Sequence, residues 1–271
     1  MLSLTRDIRS VLDEGRQAYV AIVTKDGPHV TPELYAVAGD QLWFLVAATT
    51  LKAREIPNNT RVSALVRTGG RSVLLSGTAA TYDVRSPADI GKAVSDPTVA
   101  KALTGFLLRN AGDLAAFGKD LLSGRLGRKV PPRRVLIRLR PTRAALLDGT
   151  NAVDTLGDWP GSTGEIADSE PLRGSRDAVV GWLGPDGPVA LPARMDDGTT
   201  AYVPAVAAAL AALPDEARAC VVTDDYGRPG PAAKSGTLLR GTGRLDGDGR
   251  ATIEVAKTTQ WDGIKASTTK A

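Results

Sequence analysis

The sequence predicts a mainly β protein with a few helices (α+β), built from two copies of one small β-barrel in a single chain of 271 residues. Three observations lead to this fold class. Short β-branched runs alternate with Gly-containing turns, as they do in small barrels. Several motifs recur in the same order in the second half of the chain, which indicates a repeated unit. One stretch of the first half has apolar residues at helical spacing.

The repeat rests on four short motifs that share the same order in both halves. The matched ranges are 26–28 with 186–188, 56–61 with 213–218, 74–78 with 238–242, and 147–149 with 261–263. One such match would be chance, whereas four in order indicate duplication. The offset falls from 164 to 114 residues between the last two pairs, so the first copy carries about fifty residues that the second lacks.

We therefore expect a first barrel domain over residues 1–150, a linker over 151–176 and a second, degenerate barrel over 177–271. The linker is rich in Gly, Ser, Asp and Pro. The additional residues of the first copy, about 83–133, are predicted to be helical. They form either a helical pair that covers one face of the barrel or a lid over a ligand pocket.

The helices and strands of the first copy are predicted from their residue types and from the turn residues that separate them. A short helix is predicted over 49–56, because the residue before Pro57 disfavours further helix. Turns at Asp26-Gly27, Gly39-Asp40 and Gly69-Gly70 separate β-branched or aromatic runs. The predicted strands lie at 19–23, from about 29, and at 41–46, 61–67, 72–82 and 135–140.

Composition excludes several classes of function. With one cysteine, Cys220, and one histidine, His29, the chain has no internal disulfide and no site built from several Cys or His ligands. No apolar stretch approaches the ~20 residues of a membrane span, and the start lacks a secretion signal, so we expect a cytoplasmic protein without a membrane partner. A net charge of +4 with 4% aromatic residues argues against nucleic-acid binding.

Basic residues concentrate before and within the last strand of the first copy. Two interpretations are open: a solvated loop that leads into a strand, or a site for an anionic cofactor or partner. The residues are Arg125, Arg128, Lys129, Arg133, Arg134, Arg138, Arg140 and Arg143.

The segment 47–54 joins an apolar strand to the first turn of the predicted helix. Amide N–H groups at a helix N-terminus attract phosphate. Thr49, Thr50, Lys52 and Arg54 would add hydroxyl donors and positive charge. Alternatively, Thr49 or Thr50 only caps the helix.

The second copy lacks this chemistry. An offset of 157 residues places Ala207, Ala209 and Ala211 at the positions of Thr50, Lys52 and Arg54. Alanine offers neither charge nor a side-chain donor. We therefore expect at most one anion site of this kind per chain.

Three segments of the first copy resemble the pyridoxamine 5′-phosphate oxidase-like flavin-binding split barrels, a superfamily that includes the flavin/deazaflavin oxidoreductases. They are Asp-Gly-Pro-His-Val-Thr-Pro at 26–32, a strand-Gly-Asp-strand hairpin, and Thr-Thr-Leu-Lys-Ala-Arg-x-Ile at 49–56. The resemblance covers residues 16–83 best, the closing strand at 134–149 less well, and 176–263 mainly through the repeat.

The resemblance implies a six-stranded split barrel that binds FMN, or in relatives the deazaflavin F420, where two barrels meet. Haem bound through His29 is a further alternative that the resemblance allows. It implies three groups of cofactor-binding residues: Thr49, Thr50, Lys52 and Arg54 at the phosphate, His29, Val30, Thr31 and Pro32 along the ring, and Arg71 and Ser72 at the ring edge.

The expected function is that of an FMN-binding oxidoreductase, in which the cofactor exchanges a hydride with a small organic substrate. The alternatives are an F420-dependent reductase and a non-catalytic flavin- or haem-binding module. No catalytic residue and no metal site is predicted. Whether two such chains also form a homodimer is left open.

Overall fold

The computed structural model describes residues 2–83, 86, 96–122, 133–161, 174, 176–196, 198–225, 234–263 and 265–271. Three basic-cluster residues, Arg125, Arg128 and Lys129, lie outside the described residues. So do parts of the predicted insertion and half of the predicted linker.

The first barrel is closed by six antiparallel strands. They are β1 (Gln17–Thr24), β2 (Gly27–Ala38), β3 (Gln41–Ala47), β4 (Arg61–Thr68), β5 (Arg71–Asp83) and β6 (Arg134–Asp148). The sheet order is β3-β2-β1-β4-β5-β6, and β3 also pairs with β6. Helix α1 (Arg6–Glu14) begins at the N-cap Thr5 and buries one apolar face in the barrel core. Helix α2 (Leu51–Glu55) connects β3 to β4.

The second barrel repeats this strand topology and has a short helix at the place of α2. Its strands are β8 (Arg176–Gly184), β9 (Gly187–Met195), β10 (Thr200–Tyr202), β11 (Glu216–Asp225), β12 (Ser235–Leu245) and β13 (Arg250–Asp262), with β14 (Lys265–Lys270) at the edge. Helix α5 (Ala205–Leu210) stands between β10 and β11, as α2 stands between β3 and β4. The order β10-β9-β8-β11-β12-β13 closes through β10 and β13. The predicted class, a mainly β chain with two barrels, is confirmed.

Local irregularities of the two sheets follow the sequence offsets. A β-bulge interrupts the β5–β6 pairing between Ser76 and Gly77, and the β12–β13 pairing between Arg240 and Gly241, 164 residues later. A β-bulge bends its strand and changes the direction of the side chains, so a bulge at matching positions is a shared structural feature. The turn glycines Gly149 and Gly263 have φ of 59° and 61°, 114 residues apart.

The barrels pack against each other around a pseudo-two-fold axis. A Cβ on Gly27 would lie 2.8 Å from Arg218 Cβ, and a Cβ on Gly187 would lie 3.1 Å from Arg61 Cβ. These two contacts exchange under the repeat offsets, as reciprocal contacts do in a two-fold dimer. Strands of both barrels share one hydrophobic core, to which Val30 of β2 belongs.

Residues 151–156 of the predicted linker form a seventh strand of the first sheet, β7 (Asn151–Leu156), paired with β6. The positive φ of Gly149 allows a tight turn, so the chain folds back as a hairpin on β6 and does not leave the sheet as a linker. After β7, Trp159 Nε1 donates to the Ala144 carbonyl oxygen (3.3 Å), and the Gly161 N–H donates to the Leu210 carbonyl oxygen (2.9 Å). The domain boundaries stay predictions.

The described part of the insertion forms two helices, α3 (Pro97–Arg109) and α4 (Ala111–Leu122). Val99 and Ala102 of α3 pack on Trp43, on the side of β3 that faces away from the barrel core. Arg109 donates to the backbone carbonyls at the end of α1 and to the hydroxyl of Tyr35 (3.0 Å). Helix α3 therefore covers part of the outer face of the first barrel, and the role of the whole insertion stays a prediction.

Candidate functional site

Helix α2 carries the predicted phosphate motif. Thr50 is its N-cap: Thr50 Oγ1 accepts from the Ala53 N–H (3.4 Å) and donates to the Ala47 carbonyl oxygen (2.9 Å). Thr49 and Arg54 are exposed. Thr50 thus takes the capping role that the sequence left as an alternative.

Lys52 points inward from the same helix and is only 3% exposed. Its ammonium donates to Thr31 Oγ1 and to Glu33 Oε1, 2.8 Å away. Because residues two apart on a strand share a face, Thr31 and Glu33 of β2 both reach it. A buried ammonium needs such partners, and these contacts tie α2 to β2.

His29 lies on the same face of β2, two residues before Thr31. Its Nδ1 is buried and has no hydrogen-bond partner among the described residues. Burial, reinforced by repulsion from Lys52 and Arg240, lowers the pKa of His29 to about 3. The imidazole is therefore neutral at pH 7 and lies within the field of two cations from different barrels.

Arg240 of β12 is the second barrel's contribution. Its side chain is nearly buried; Nη2 donates to Thr259 Oγ1 (3.1 Å), and Nη1 lies 3.9 Å from Asp26 Oδ2. Arg240 Nε is buried without a partner among the described residues. Lys257 of β13 completes the arrangement, with Nζ 2.6 Å from the same Asp26 oxygen.

We call these side chains the interbarrel cluster; its members are Asp26, His29, Thr31, Glu33, Lys52, Arg240, Lys257 and Thr259. Three cations stand against two carboxylates, so the cluster carries a net charge of +1. Leaving a buried donor unpaired costs ~1–3 kcal/mol. A bound anion that accepts from Arg240 Nε and from the His29 ring would recover that cost.

The pseudo-equivalent position on the other side of the axis keeps one ion pair, because Arg143 and Asp186 (2.7 Å) stand where Lys257 and Asp26 stand, but it lacks the other charged residues of the cluster. The repeat offsets place buried Val189, Leu191 and Ala193 in the positions of His29, Thr31 and Glu33. Ala209, Ser76 and Ala145 stand where Lys52, Arg240 and Thr259 stand in the cluster. The segment 159–161 contacts α5 and β6 there. Only one of the two positions has the chemistry of an anion site.

Val30 and Pro32 lie on the opposite face of β2 and are both buried. Val30 packs so closely between the barrels that a Cβ on Gly181 would lie 2.5 Å from Val30 Cγ2. Val30 belongs to the shared core, and neither residue adds a polar side chain to the interbarrel cluster.

Arg71 and Ser72 are not brought to Lys52. Arg71 Nη2 pairs with Glu14 Oε1 of α1 (3.2 Å), and Ser72 is buried beside it at the start of β5. The strand pairings separate β5 from β2 by three strand spacings, about 14 Å along the sheet. Neither residue belongs to the interbarrel cluster, and their place at the ring edge stays a prediction.

Glu33, Arg240, Lys257 and Thr259 are members of the site that the sequence analysis missed, and it assigned Asp26 only to a turn. Arg240 could have been identified from the repeat, because it lies inside the repeated motif at 238–242, at the position where the first copy has Ser76. The other three belong to ordinary strand patterns, and only the folded chain brings them together.

The described arginines of the basic cluster include several that pair with carboxylates. Arg138 Nη1 lies 3.0 Å from Asp96 Oδ2, and its guanidinium also lies over the Trp43 ring. Arg143 Nη2 lies 2.7 Å from Asp186 Oδ2 across the barrel interface. These pairings favour a structural role for both residues.

A cavity of about 460 Å³ lies at one end of the second barrel, lined by residues that include Arg176, Thr237, Gln260 and Trp261. It contains no member of the interbarrel cluster.

Within the described ranges, no group of three Cys, His, Asp or Glu side chains could hold a metal ion. No described helix is long and apolar enough to cross a membrane.

Comparison with known proteins matches residues 5–110 to the family described as pyridoxamine 5′-phosphate oxidase. No curated protein matches the chain. Similar solved structures include general stress protein 26 from Bacillus anthracis, which is 15% identical, with 55% of this chain and 95% of that chain covered and a TM-score of 0.35. A FAD-binding protein from Mesorhizobium loti is 18% identical, with 53% and 94% covered and a TM-score of 0.35.

A protein related to general stress protein 26, from Clostridium acetobutylicum and described as of the pyridoxinephosphate oxidase family, is 11% identical. It covers 56% of this chain and 92% of its own, with a TM-score of 0.37. Because these three TM-scores lie below 0.5, the assignment of two barrels rests on the strand pairings described above.

Proposed function

We propose that the chain, whose residues 5–110 match the family described as pyridoxamine 5′-phosphate oxidase, binds one flavin, FMN, with its phosphate at the interbarrel cluster. The proposed activity is that of an oxidoreductase acting on a small organic substrate. FMN, when bound, supplies the hydride chemistry. The protein's own residues bind the phosphate, orient the ring and exclude water.

The residues of the interbarrel cluster fit a phosphate group. Lys52 and Arg240 supply positive charge from both barrels, and charge-assisted hydrogen bonds to phosphate are among the strongest available to a protein. Arg240 Nε and His29 Nδ1 are buried polar atoms without partners among the described residues. Glu33 holds Lys52 in place, and Lys52 would share its three N–H donors between Glu33, Thr31 and the phosphate.

The observation that carries the proposal is the asymmetry of the two pseudo-equivalent positions. One combines three cations with two unpartnered buried nitrogens, whereas the other has, at the matching places, the Arg143–Asp186 ion pair and otherwise no charged side chain, and it is contacted by Trp159 and Gly161. A flavin phosphate needs the first environment. We therefore expect one flavin per chain, bound on the side of α2.

Titration of the purified protein with FMN tests the site. We expect saturation at one FMN per chain, and Lys52→Met should raise Kd by about tenfold or more, the equivalent of a charged hydrogen bond of ~1.5–3 kcal/mol. Ala209→Ser, at the equivalent position of the second barrel, is the matched control and should leave Kd unchanged. Riboflavin, which lacks the phosphate, should bind wild type and Lys52→Met equally.

Three outcomes would contradict the proposal: no binding of FMN by the wild type, two FMN per chain, or equal affinity in Lys52→Met. Tighter binding of F420 in the same titration would replace FMN by the deazaflavin. Bleaching of the bound flavin by a reduced nicotinamide or by reduced F420 would support an oxidoreductase. A flavin that neither donor reduces would support the non-catalytic module.

A further inference from the structure

We propose that His29 takes up a proton when a phosphomonoester binds at the interbarrel cluster, and that it holds the phosphate as a charged donor. This inference rests on the proposed function and deepens it. It assigns to His29 a role different from the ring contact that the family resemblance implies. It also defines the ligand as a terminal, doubly charged phosphate.

The position of His29 carries the argument. Its ring lies on the face of β2 from which Thr31 and Glu33 reach Lys52. Its Nδ1 is buried and without a partner among the described residues, as is Nε of Arg240. Two polar nitrogens from different barrels are thus left unsatisfied, and Arg240 lies close enough to His29 for its charge to lower the pKa of the ring. An anion shared between them would satisfy both.

Charged groups of both barrels act on His29 or on its neighbours. Lys52 of α2 and Arg240 of β12 repel a positive charge on the ring. Glu33 of β2 pairs with Lys52, and Asp26 of the β1–β2 turn pairs with Arg240 and with Lys257 of β13. The buried thiol of Cys220 lies beside Val30, on the opposite face of β2. Without a ligand the net charge is +1, and a further positive charge on the ring is repelled. This repulsion adds to the desolvation that lowers the pKa of His29.

A bound dianion reverses this balance. Two negative charges change the net charge of the cluster from +1 to −1, so a protonated imidazole now brings it to zero. The proton comes from solvent, and no covalent bond forms or breaks. Above pH 7 a phosphomonoester is mostly a dianion, because its second pKa is about 6, so the ligand itself releases little proton on binding.

Calorimetric titration with FMN at pH 7.5, in two buffers of different ionisation enthalpy, counts the protons taken up. We expect wild type to take up a proton and His29→Gln, whose amide cannot be protonated at this pH, to take up none. Because Gln keeps a polar group at similar reach, FMN affinity should fall by about tenfold or more. Riboflavin is the control: its binding should involve no proton uptake and should not change in the variant.

The pH dependence of the wild type gives an independent measurement that needs no variant. Proton uptake requires FMN affinity to fall as pH rises from 7 to 8.5, with a slope equal to the number of protons. Affinity that is independent of pH, or equal uptake by wild type and His29→Gln, would overturn the role of His29 while FMN binding stands. Absence of FMN binding by wild type would instead overturn the proposed function, and this inference with it.

Discussion

Acid stability offers a direct test of the environment of His29, because a lowered pKa in the folded state has a defined sign in the free energy of unfolding. His29 has a pKa of about 3 in the folded chain against an ordinary value of 6.5. Between these values the unfolded state binds the proton and the native state does not. The free energy of unfolding therefore decreases as pH falls from about 7 towards 3.

The magnitude at pH 5 follows from linkage. At that pH the unfolded imidazole is almost fully protonated, and the native imidazole almost fully neutral. The difference amounts to about 2 kcal/mol, from ~1.36 kcal/mol per pH unit over the 1.5 units below the ordinary pKa. The figure hardly changes for any native pKa below about 4.

Urea denaturation of wild type and His29→Gln at pH 7 and pH 5 measures this contribution. Carboxylates titrate in both proteins and cancel in the comparison. We expect the wild type to lose about 2 kcal/mol more than the variant between the two pH values. Equal losses would show that His29 is protonated in the folded protein and would refute the assignment of a neutral, buried ring.

Three further predictions concern packing. Arg109→Met should destabilise the chain by about 2–3 kcal/mol in urea, because backbone carbonyls lose a charged donor, with no change in FMN affinity. Gly187→Ala should destabilise the chain by more than about 1 kcal/mol, because φ at this position is +125° and the new Cβ would lie 3.1 Å from Arg61 Cβ. Gly198→Ala, where the new Cβ would meet open space, is the control and should change the stability less. Burial raises the pKa of Cys220 to about 12, so a thiol reagent should modify it only after unfolding; rapid modification of the native protein would contradict this.

Local rules predicted much of the fold. The predicted helix at 49–56 corresponds to α2 at 51–55, and the turns at Gly27, Gly39 and Gly70 separate the predicted strands. The last strand was predicted over 135–140 but extends to Asp148, because Pro141 stands at the β-bulge opposite Gly77, where a missing N–H is tolerated. β7 was missed, because a short edge strand in a polar stretch has the composition of a loop.

The site was less accessible to sequence reasoning. Lys52 was predicted because hydroxyl and basic residues at a helix start have a local signature. Its partner Glu33, and Arg240 from the second barrel, come from strands distant in sequence. Motif spacing does not reveal which strands meet, so the contribution of the second barrel became visible only in the folded chain.

The covalent connection of the two barrels has an evolutionary consequence. In a homodimer every substitution occurs twice, so a residue that improves one cleft is imposed on the other. Here Arg240 and Ser76 are encoded separately, although they occupy matching places in the two halves. One position was therefore free to acquire Arg240, while its counterpart acquired aliphatic side chains at the places of His29 and Thr31, and the association of the halves does not depend on protein concentration.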